Sequence, residues 1–502
     1  MLDGLELGLH DRWSNRLLST LQKLRSQLRA MSQLDAVVIG SGPNGLTAAI
    51  VLAQAGRKVV VFEAADSIGG GCRSAELTLP GFVHDVCSAV HPFAVASPIF
   101  RALPLATYGL EWIEPPIMFA HPLDTGDAAC VYRSLEQTSL ELKQDGPAYA
   151  DAFGSLVRMW PQIEESVLGP LHWPRHPLSV ARFGLRALQP AERLVRRLFV
   201  TERARALLAG TAAHSMLSLD ERPTAGVALS LTLMAHTAGW SMPRGGAQSL
   251  SNALAAHLRS LGGQIVTGTI VRSVDDLPDA KAVICDLSPK PLLQIAGHRF
   301  PSRYRRALER YRYGMGVYKV DWALDAPIPW RDPACARAGT VHLGGTLDEI
   351  VLSERAARDG QHAERPFVLL AQPTLFDPSR APQGRHIAWT YCHVPHGSEF
   401  VMLPRIEQQI ERFAPGFRER VLARAVTHPA DIERRNPNFV GGDIGAGVTD
   451  LRQLFARPTW RTYSTPVRGL YICSASTPPG VGVHGMCGYF AARRALQEVL
   501  RD

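Results

Sequence analysis

A short glycine motif near the start of the chain limits its possible folds more than any other feature. Gly40, Gly42 and Gly45 form a G-x-G-x-x-G pattern, preceded by an apolar run at 36–39 that predicts a strand and followed by apolar residues at helical spacing. Another apolar run at 59–62 predicts a second strand, so the segment reads as a βαβ unit. In such a unit the first glycine permits a tight turn, the second lets the backbone approach a pyrophosphate, and the third lets helix and strand pack closely. The motif therefore predicts a dinucleotide site at a helix N-terminus.

Two further features point to one class of dinucleotide. Glu63 ends the second strand, 18 residues after Gly45, where a carboxylate would accept hydrogen bonds from ribose hydroxyls. Gly69 and Gly70 follow, and Arg73 is a candidate phosphate ligand, with a plain surface role as an equal alternative. This ordered set resembles the long fingerprint of FAD flavoproteins, in which the double glycine also contacts the diphosphate. The resemblance implies FAD rather than NAD.

The C-terminal segment carries the second half of the resemblance. Residues 475–488 follow a predicted strand, open a helix from about Met486, and contain Gly482, His484 and Gly485. They resemble the C-terminal FAD motif of the phytoene (carotenoid) desaturase-like dehydrogenases, a branch of the amine oxidase superfamily. The resemblance implies that these residues bind the cofactor and that the helix N-terminus faces the flavin.

The middle of the chain also resembles this superfamily. Residues 243–246 and a predicted strand at 270–271 look like its middle element, which implies that the backbone near Val271 contacts adenine. The resemblance covers most of residues 32–500 and is closest to the group typified by pyridine nucleotide-disulfide oxidoreductase domain-containing protein 2. No second strand, G-x-G-x-x-G and helix follow that could hold NAD(P)H.

Nucleotide-type signals at both ends and in the middle predict a discontinuous architecture. We expect an α/β protein in which a Rossmann-like FAD-binding domain of the glutathione-reductase type carries an inserted α+β substrate domain. The FAD-binding domain is predicted to use residues 32–115, 240–298 and 455–502, and the substrate domain residues 116–239 and 299–454. Residues 1–31 form an amphipathic leader ahead of both domains.

The leader has three interpretations. It is a basic amphipathic helix that lies on an anionic membrane, an organelle transit peptide, or a non-native extension ahead of a natural start at Met31. Three acidic residues among the first eleven argue against the transit peptide. The sequence therefore predicts a cytoplasmic protein, mitochondrial only if residues 1–30 are a transit peptide.

The charge distribution excludes a pervasively basic nucleic-acid-binding protein. The formal net charge is +8, of which residues 1–30 carry +2 and residues 171–206 carry +6, so the rest of the chain is neutral. Residues 171–206 interleave arginines with apolar side chains. A solvated helix face is the first interpretation of this segment, and peripheral contact with an anionic membrane is the second. We expect no nucleic-acid partner.

The cysteine and hydropathy patterns exclude several other classes. None of the eight cysteines is spaced C-x-x-C, so a zinc ribbon and a dithiol redox centre are unsupported, and no metal site is predicted. No stretch reaches the roughly 18 apolar residues of a membrane span. Cys72, Cys87 or Cys487 could bind flavin covalently, but their spacing does not demand it, and non-covalent FAD is the favoured interpretation.

Catalytic residues are harder to predict, and Lys319 and His484 are weak candidates. Lys319 resembles the lysine that related amine oxidases place near flavin N5, although a lysine paired with a nearby acid is the favoured alternative. His484 lies within the flavin motif and could tune the flavin or assist proton transfer, while a role in turn geometry is as good an explanation. His393 and His396 are interpreted as structural.

The resemblance implies an FAD-dependent dehydrogenase that takes hydride from a C–H bond of a lipophilic small molecule, such as a carotenoid or another isoprenoid. A quinone or oxygen would reoxidise the flavin. Hydride transfer needs little protein acid–base machinery, because the flavin accepts the hydride and the protein orients the C–H bond. A flavin amine oxidase and a low-turnover flavin-bearing regulatory protein are the alternatives.

Overall fold

The computed structural model describes residues 34–501. The leader and its three interpretations lie outside the described residues. Within them the strands are β1 Leu34–Ile39, β2 Val59–Phe62, β3 Ser74–Glu76, β4 Val83–Asp85, β5 Trp112–Ile113, β6 Ile117–Pro122, β7 Ala128–Val131, β8 Met242–Pro243, β9 Gln264–Val266, β10 Ala280–Cys285, β11 Gly316–Leu324, β12 Ala338–Leu343, β13 Val368–Ala371, β14 His386–Val394, β15 Val421–Thr427 and β16 Leu470–Ile472.

Helices cover the two larger sheets that these strands form, and they fill most of the connections. Over residues 34–501 they are α1 Pro43–Gln54, α2 Pro92–Ala96, α3 Pro98–Ala102, α4 Leu135–Glu141, α5 Gly146–Val167, α6 Pro177–Ala187, α7 Ala191–Leu198, α8 Glu202–Ala212, α9 Thr224–Thr237, α10 Gln248–Ser260, α11 Pro289–Ala296, α12 Ser302–Glu309, α13 Leu347–Arg358, α14 Leu403–Phe413, α15 Pro429–Arg435, α16 Leu451–Phe455 and α17 Met486–Glu498.

The first sheet is the Rossmann-like core. Its strand order within the described residues is β16-β10-β1-β2-β9, and every neighbouring pair is parallel. Strands β1 and β2 are almost wholly buried apolar runs, as expected for a parallel sheet covered on both faces. Because the strands are parallel, their carboxyl ends share one edge, where ligands of such folds bind.

The second sheet is the main sheet of the inserted part of the chain. Its order in the described region is β15-β11-β14-β13-β12-β6-β7, with antiparallel pairs except for the parallel pair of β12 and β6. One face packs on the apolar core that includes α5, α8 and α9, and the other on a second core that includes α14. All strands of the first sheet come from the three segments predicted for the FAD-binding domain, and all strands of the second from the two substrate segments. The domain boundaries themselves stay predictions.

One predicted strand was wrong. The sequence predicted a strand at 270–271, but β9 ends at Val266, and Val271 follows it in irregular chain. The strand ends there because Gly268 turns with φ +65° and donates its N–H to the Ala65 carbonyl at 2.9 Å. Thr269 then donates to the Glu63 carbonyl at 2.8 Å, which holds this stretch beside the end of β2.

Candidate active site

The glycine loop brings β1 and α1 into the close contact that the sequence predicts. Gly40 has φ +99° and donates its N–H to the Phe62 carbonyl at 2.8 Å, which joins the turn to β2. Gly42 caps α1 in extended conformation without a side-chain partner. A Cβ on Gly45 would lie 2.1 Å from the Gly40 carbonyl oxygen, so only glycine fits. The glycines thus bring the turn after β1 and the first turn of α1 into close backbone contact, the arrangement that a phosphate-binding helix N-terminus uses.

Glu63 reaches this loop from the end of β2. Its Oε2 accepts hydrogen bonds from the Ser41 N–H at 2.9 Å and the Ser41 hydroxyl at 2.6 Å. Its Oε1 accepts from the Ala65 N–H at 2.9 Å. The carboxylate is only partly buried, so it can still meet a ribose beside the loop.

The double glycine packs directly on the same loop. Gly69 donates its N–H to the Ser41 carbonyl at 3.1 Å, and a Cβ on Gly70 would lie 3.2 Å from the Gly42 Cα. Arg73 donates through Nε to the Gly70 carbonyl at 2.8 Å. The structure thus brings the double glycine and Arg73 to the nucleotide loop, with the arginine stabilising the glycine turn.

The C-terminal motif closes the site from the opposite side. Gly485 caps α17 with φ +67°, and a Cβ there would lie 2.4 Å from the Thr47 hydroxyl of α1. Gly482 turns with φ +132° against Phe93. These glycines let α17 lie against α1, so that Met486 and the N-terminus of α17 stand beside the first turn of α1.

His484 uses both ring nitrogens within its own turn. Nδ1 accepts a hydrogen bond from the Met486 N–H at 3.0 Å, and Nε2 donates to the Gly480 carbonyl at 3.2 Å. Burial lowers the pKa of His484 to about 4, so the ring is neutral at physiological pH. The sequence left two interpretations of His484 open, a part in flavin chemistry and a role in turn geometry. These contacts fit the role in turn geometry.

Asp286 is a member of the site that the sequence did not predict. It follows β10 directly, and its Oδ2 accepts a hydrogen bond from the Gly45 N–H at 3.1 Å. A Cβ on Gly42 would lie 2.7 Å from the same oxygen. Burial, reinforced by the nearby negative charge of Glu63, raises the pKa of Asp286 to about 7. Only its place after a buried parallel strand could have indicated it in the sequence.

A cavity lies between the double glycine and the second sheet. Gly70, Gly71, Arg73 and Cys87 line it from the first sheet's side, and Lys319 from β11. Apolar and aromatic side chains form the larger part of the wall: Val86, Val317, Trp389, Tyr391, Ile432, Phe439 and Ile444. The Trp389 and Tyr391 rings are nearly perpendicular, with centroids 5.1 Å apart. The cavity has a volume of about 30 Å³, and its apolar wall lies next to the nucleotide loop.

Lys319 has the nearby acid partner that was the favoured interpretation, and it also lies on the cavity wall, while a role beside flavin N5 stays a prediction. It forms a buried ion pair with Asp321, two residues along β11, and it also lines the cavity with its Nζ 6.0 Å from the Trp389 ring centroid. Burial raises the pKa of Asp321, and Lys319 opposes that rise. His84 lies beside this pair, with Nδ1 3.6 Å from Asp321 Oδ1.

The remaining candidates other than Cys87 lie apart from the cavity wall or are held in the core. His393 donates through Nδ1 to the buried Glu354 carboxylate at 2.7 Å, and His396 is exposed. All eight cysteines are free; Cys87 lines the cavity, whereas Cys72 and Cys487 are buried and donate to backbone carbonyls. Within residues 34–501 no group of three or more His, Cys, Asp or Glu side chains could hold a metal, and no helix is long and apolar enough to cross a membrane.

Comparisons with known proteins agree with this geometry. Residues 38–103 match the family described as NAD(P)-binding Rossmann-like domain. The chain is 26% identical to pyridine nucleotide-disulfide oxidoreductase domain-containing protein 2 of Rattus norvegicus, over 94% of either protein. It is 23% identical to the neurosporene-forming phytoene desaturase of Rhodobacter capsulatus, over 90% of this chain and 92% of that protein. The chain is a homologue of these two proteins.

Solved structures extend the comparison to the fold. A putrescine oxidase bound to putrescine aligns with a TM-score of 0.59 at 18% identity, covering 93% of this chain and 99% of that one. The predicted resemblance and the predicted α/β fold with a Rossmann-like domain are both confirmed. Together the homologues and the Rossmann-like match indicate an oxidoreductase of the FAD-dependent class.

Proposed function

We propose that the protein is an FAD-dependent dehydrogenase that removes hydride from a C–H bond of a lipophilic small molecule, with carotenoids and other isoprenoids as the first substrate class. One observation carries the proposal. Four separated parts of the chain, at residues 40–45, 63, 69–70 and 482–486, meet around the first turn of α1, and a largely apolar cavity opens beside them.

The residues present fit FAD. The Gly70 turn packs on Gly42, where a diphosphate would meet the backbone of the nucleotide loop, and Glu63 offers a carboxylate to a ribose. Asn44 Oδ1, in the first turn of α1, is buried without a hydrogen-bond partner in the described structure and is therefore available to a ligand. Cys72 and Cys487 are engaged in the core, which supports non-covalent binding. When bound, FAD would supply the hydride acceptor at its N5 atom.

The chain's own contribution to the reaction is mainly positional. The apolar wall around Trp389, Tyr391 and Ile432 excludes water and orients a lipophilic substrate. Arg73, Lys319 and Arg435 are the cationic residues of this wall, and their charge would stabilise an electron-rich reduced cofactor. No nucleophile–base pair is needed, because the reacting bond is a C–H bond.

A flavin amine oxidase is the second candidate. The observation in its favour is the pair of aromatic rings, Trp389 and Tyr391, in the cavity that Lys319 also lines. Lys319, which is ion-paired with Asp321, does not separate the two candidates, because it also resembles the lysine of related amine oxidases.

The test begins with the visible spectrum of the purified full chain, before and after incubation with FAD, FMN or NADP. We expect a flavin spectrum that FAD alone restores.

The FAD-loaded protein is then mixed anaerobically with carotenoid precursors, other isoprenoids and amines, and bleaching of the flavin is followed. Reoxidation is timed with a quinone and with oxygen. A colourless protein that FAD cannot reconstitute contradicts the cofactor, bleaching by amines alone supports the second candidate, and bound flavin that no compound bleaches supports the regulatory alternative.

A further inference from the structure

Residues 171–197 form a surface with an unusual concentration of exposed apolar side chains, here named the α6 surface. Trp173 is 88% exposed, Leu178 86% and Leu185 75%, and Leu171 and Leu188 are also exposed. A fully exposed leucine forgoes about 1.5–3 kcal/mol relative to a buried one. Five such side chains within eighteen residues therefore indicate a surface that is covered in the working protein.

Helix α6 places two of these side chains, Leu178 and Leu185, on one stripe. Leu178, Arg182 and Leu185 follow one another at spacings of four and three residues and face solvent. Val180 and Phe183 of the same helix pack against the core of the inserted domain. Apolar side chains thus occupy both faces of α6, whereas a helix that meets only water on its outer face is polar there.

Unpaired cations lie on this stripe and on the next helix, α7. Arg182, Arg193 and Arg197 are exposed, and none of them has a carboxylate partner among the described residues. Neighbouring arginines are neutralised, since Arg196 pairs with Glu192 and Asp348, and Arg203 with Asp127 and Glu141. The unpaired positive charge of the α6 surface therefore lies on Arg182, between Leu178 and Leu185, and on Arg193 and Arg197 of α7.

We propose that the α6 surface docks the protein on an anionic lipid bilayer. Trp173, Leu178 and Leu185 protrude most of their surface into solvent, so they suit a deformable apolar layer better than the fixed groove of a protein partner. Arginines beside them would meet lipid phosphates, at about 1 kcal/mol for each cation near an anionic surface. The helix would lie in the plane of the interface, where a lipophilic substrate also resides; that last link alone rests on the proposed function.

The experiment is co-sedimentation of the full chain with vesicles of phosphatidylcholine alone or mixed with phosphatidylglycerol. We expect binding to the mixed vesicles that weakens with salt and is much weaker on phosphatidylcholine alone. The double variant Leu178→Ser/Leu185→Ser should bind at least tenfold more weakly, because about 1.4 kcal/mol corresponds to tenfold and two leucines are removed. The triple variant Arg182→Gln/Arg193→Gln/Arg197→Gln should lose the preference for anionic vesicles.

Matched controls come from exposed apolar side chains elsewhere. Leu140→Ser and Trp460→Ala remove side chains that are 74% and 81% exposed, and should leave vesicle binding unchanged. Absence of binding to mixed vesicles, equal binding by the double variant, or binding to RNA instead of vesicles overturns the proposal. Circular dichroism and flavin content of each variant are measured in parallel, so a failure of the cofactor assignment is seen separately from a failure of docking.

Discussion

The carboxylate of Asp286 accepts a hydrogen bond from the Gly45 N–H at 3.1 Å, in the first turn of α1. That N–H belongs to the group of donors that a helix N-terminus offers to a diphosphate. Asp286 is buried, and burial raises its pKa to about 7, with a smaller contribution from Glu63. A negative side chain at this position would repel a bound diphosphate, so the protonated acid is the form compatible with the proposed cofactor.

The pH dependence of FAD binding follows from this contact. We expect the Kd for FAD to fall as pH drops through 7, by on the order of tenfold, the effect of one partly screened charge. Asp286→Asn keeps an acceptor for the Gly45 N–H but cannot ionise. It should therefore bind FAD at pH 8 about as tightly as the parent does at pH 6, as measured by quenching of flavin fluorescence.

Asp286→Asn should also change how the stability of the cofactor-free protein depends on pH. A raised carboxyl pKa means that the folded protein holds a proton that the unfolded chain releases between about pH 4 and 7. The contribution of Asp286 to stability therefore decreases as pH rises through this window. Asp286→Asn should flatten that part of the pH–stability curve in urea unfolding; an unchanged curve and unchanged FAD affinity would show that Asp286 does not titrate there.

The ribose contact predicted for Glu63 can be separated from its structural role. Glu63→Ala should weaken FAD binding by about tenfold to a hundredfold, since hydrogen bonds to a charged group contribute about 1.5–3 kcal/mol. Ser41→Ala removes only the hydroxyl that bonds Glu63 within the loop and should weaken binding far less. Equal losses in both variants would mean that Glu63 acts through the loop alone.

The packing of α17 on α1 requires glycine at position 488, where a hydrogen atom stands in place of a side chain. A Cβ on Gly488 would lie 1.9 Å from the Asn44 carbonyl oxygen, so Gly488→Ala must push the two helices apart. We expect a loss of about 1–3 kcal/mol in the free energy of unfolding, with weaker FAD retention. Gly184 in α6 has open space around it, and Gly184→Ala should instead stabilise the protein by about 0.5–1 kcal/mol. Thermal unfolding of both variants measures the contrast.

Removing Lys319 and removing Asp321 from their buried ion pair should change stability in different ways. Asp321→Asn leaves a buried ammonium without its partner and should cost about 3–5 kcal/mol. Lys319→Met leaves a carboxyl whose pKa burial already raises, so it can take up a proton, and its stability should fall as pH rises. In the double variant Lys319→Met/Asp321→Leu most of the loss should be recovered; urea unfolding at two pH values tests all three.

Local signals explain which parts of the fold were predictable. The strand at 59–62, the helix that begins near Met486 and the turn at Gly40 follow from short apolar runs and glycines whose neighbours in sequence are also their neighbours in space. The second sheet was not predicted strand by strand. Strand β11 is buried along its whole length, so the alternation of Lys319 and Asp321 with apolar residues does not mark a solvent face, and its partners lie far along the chain.

The site was predictable where backbone geometry demands glycine, and less so where side chains converge. Asp286 lies 241 residues from Gly45, and the sequence around neither residue indicates that the two are in contact. Trp389 and Tyr391 join Lys319 only because β14 pairs with β11 in one register. The predicted strand at Val271 failed because a single glycine turn at 268 outweighs the β-branched residues after it.

Strand β16 and helix α17 complete a sheet and a glycine loop that begin more than 400 residues earlier. During translation the βαβ unit at 34–62 emerges first, yet β10 and then β16 must be synthesised before its sheet is whole. We expect the nascent chain to capture its cofactor only after β16 and α17 have been synthesised, and to present an open sheet edge to chaperones until then. A premature stop before Leu470 would therefore yield a chain that is cleared by proteolysis rather than a weakened enzyme.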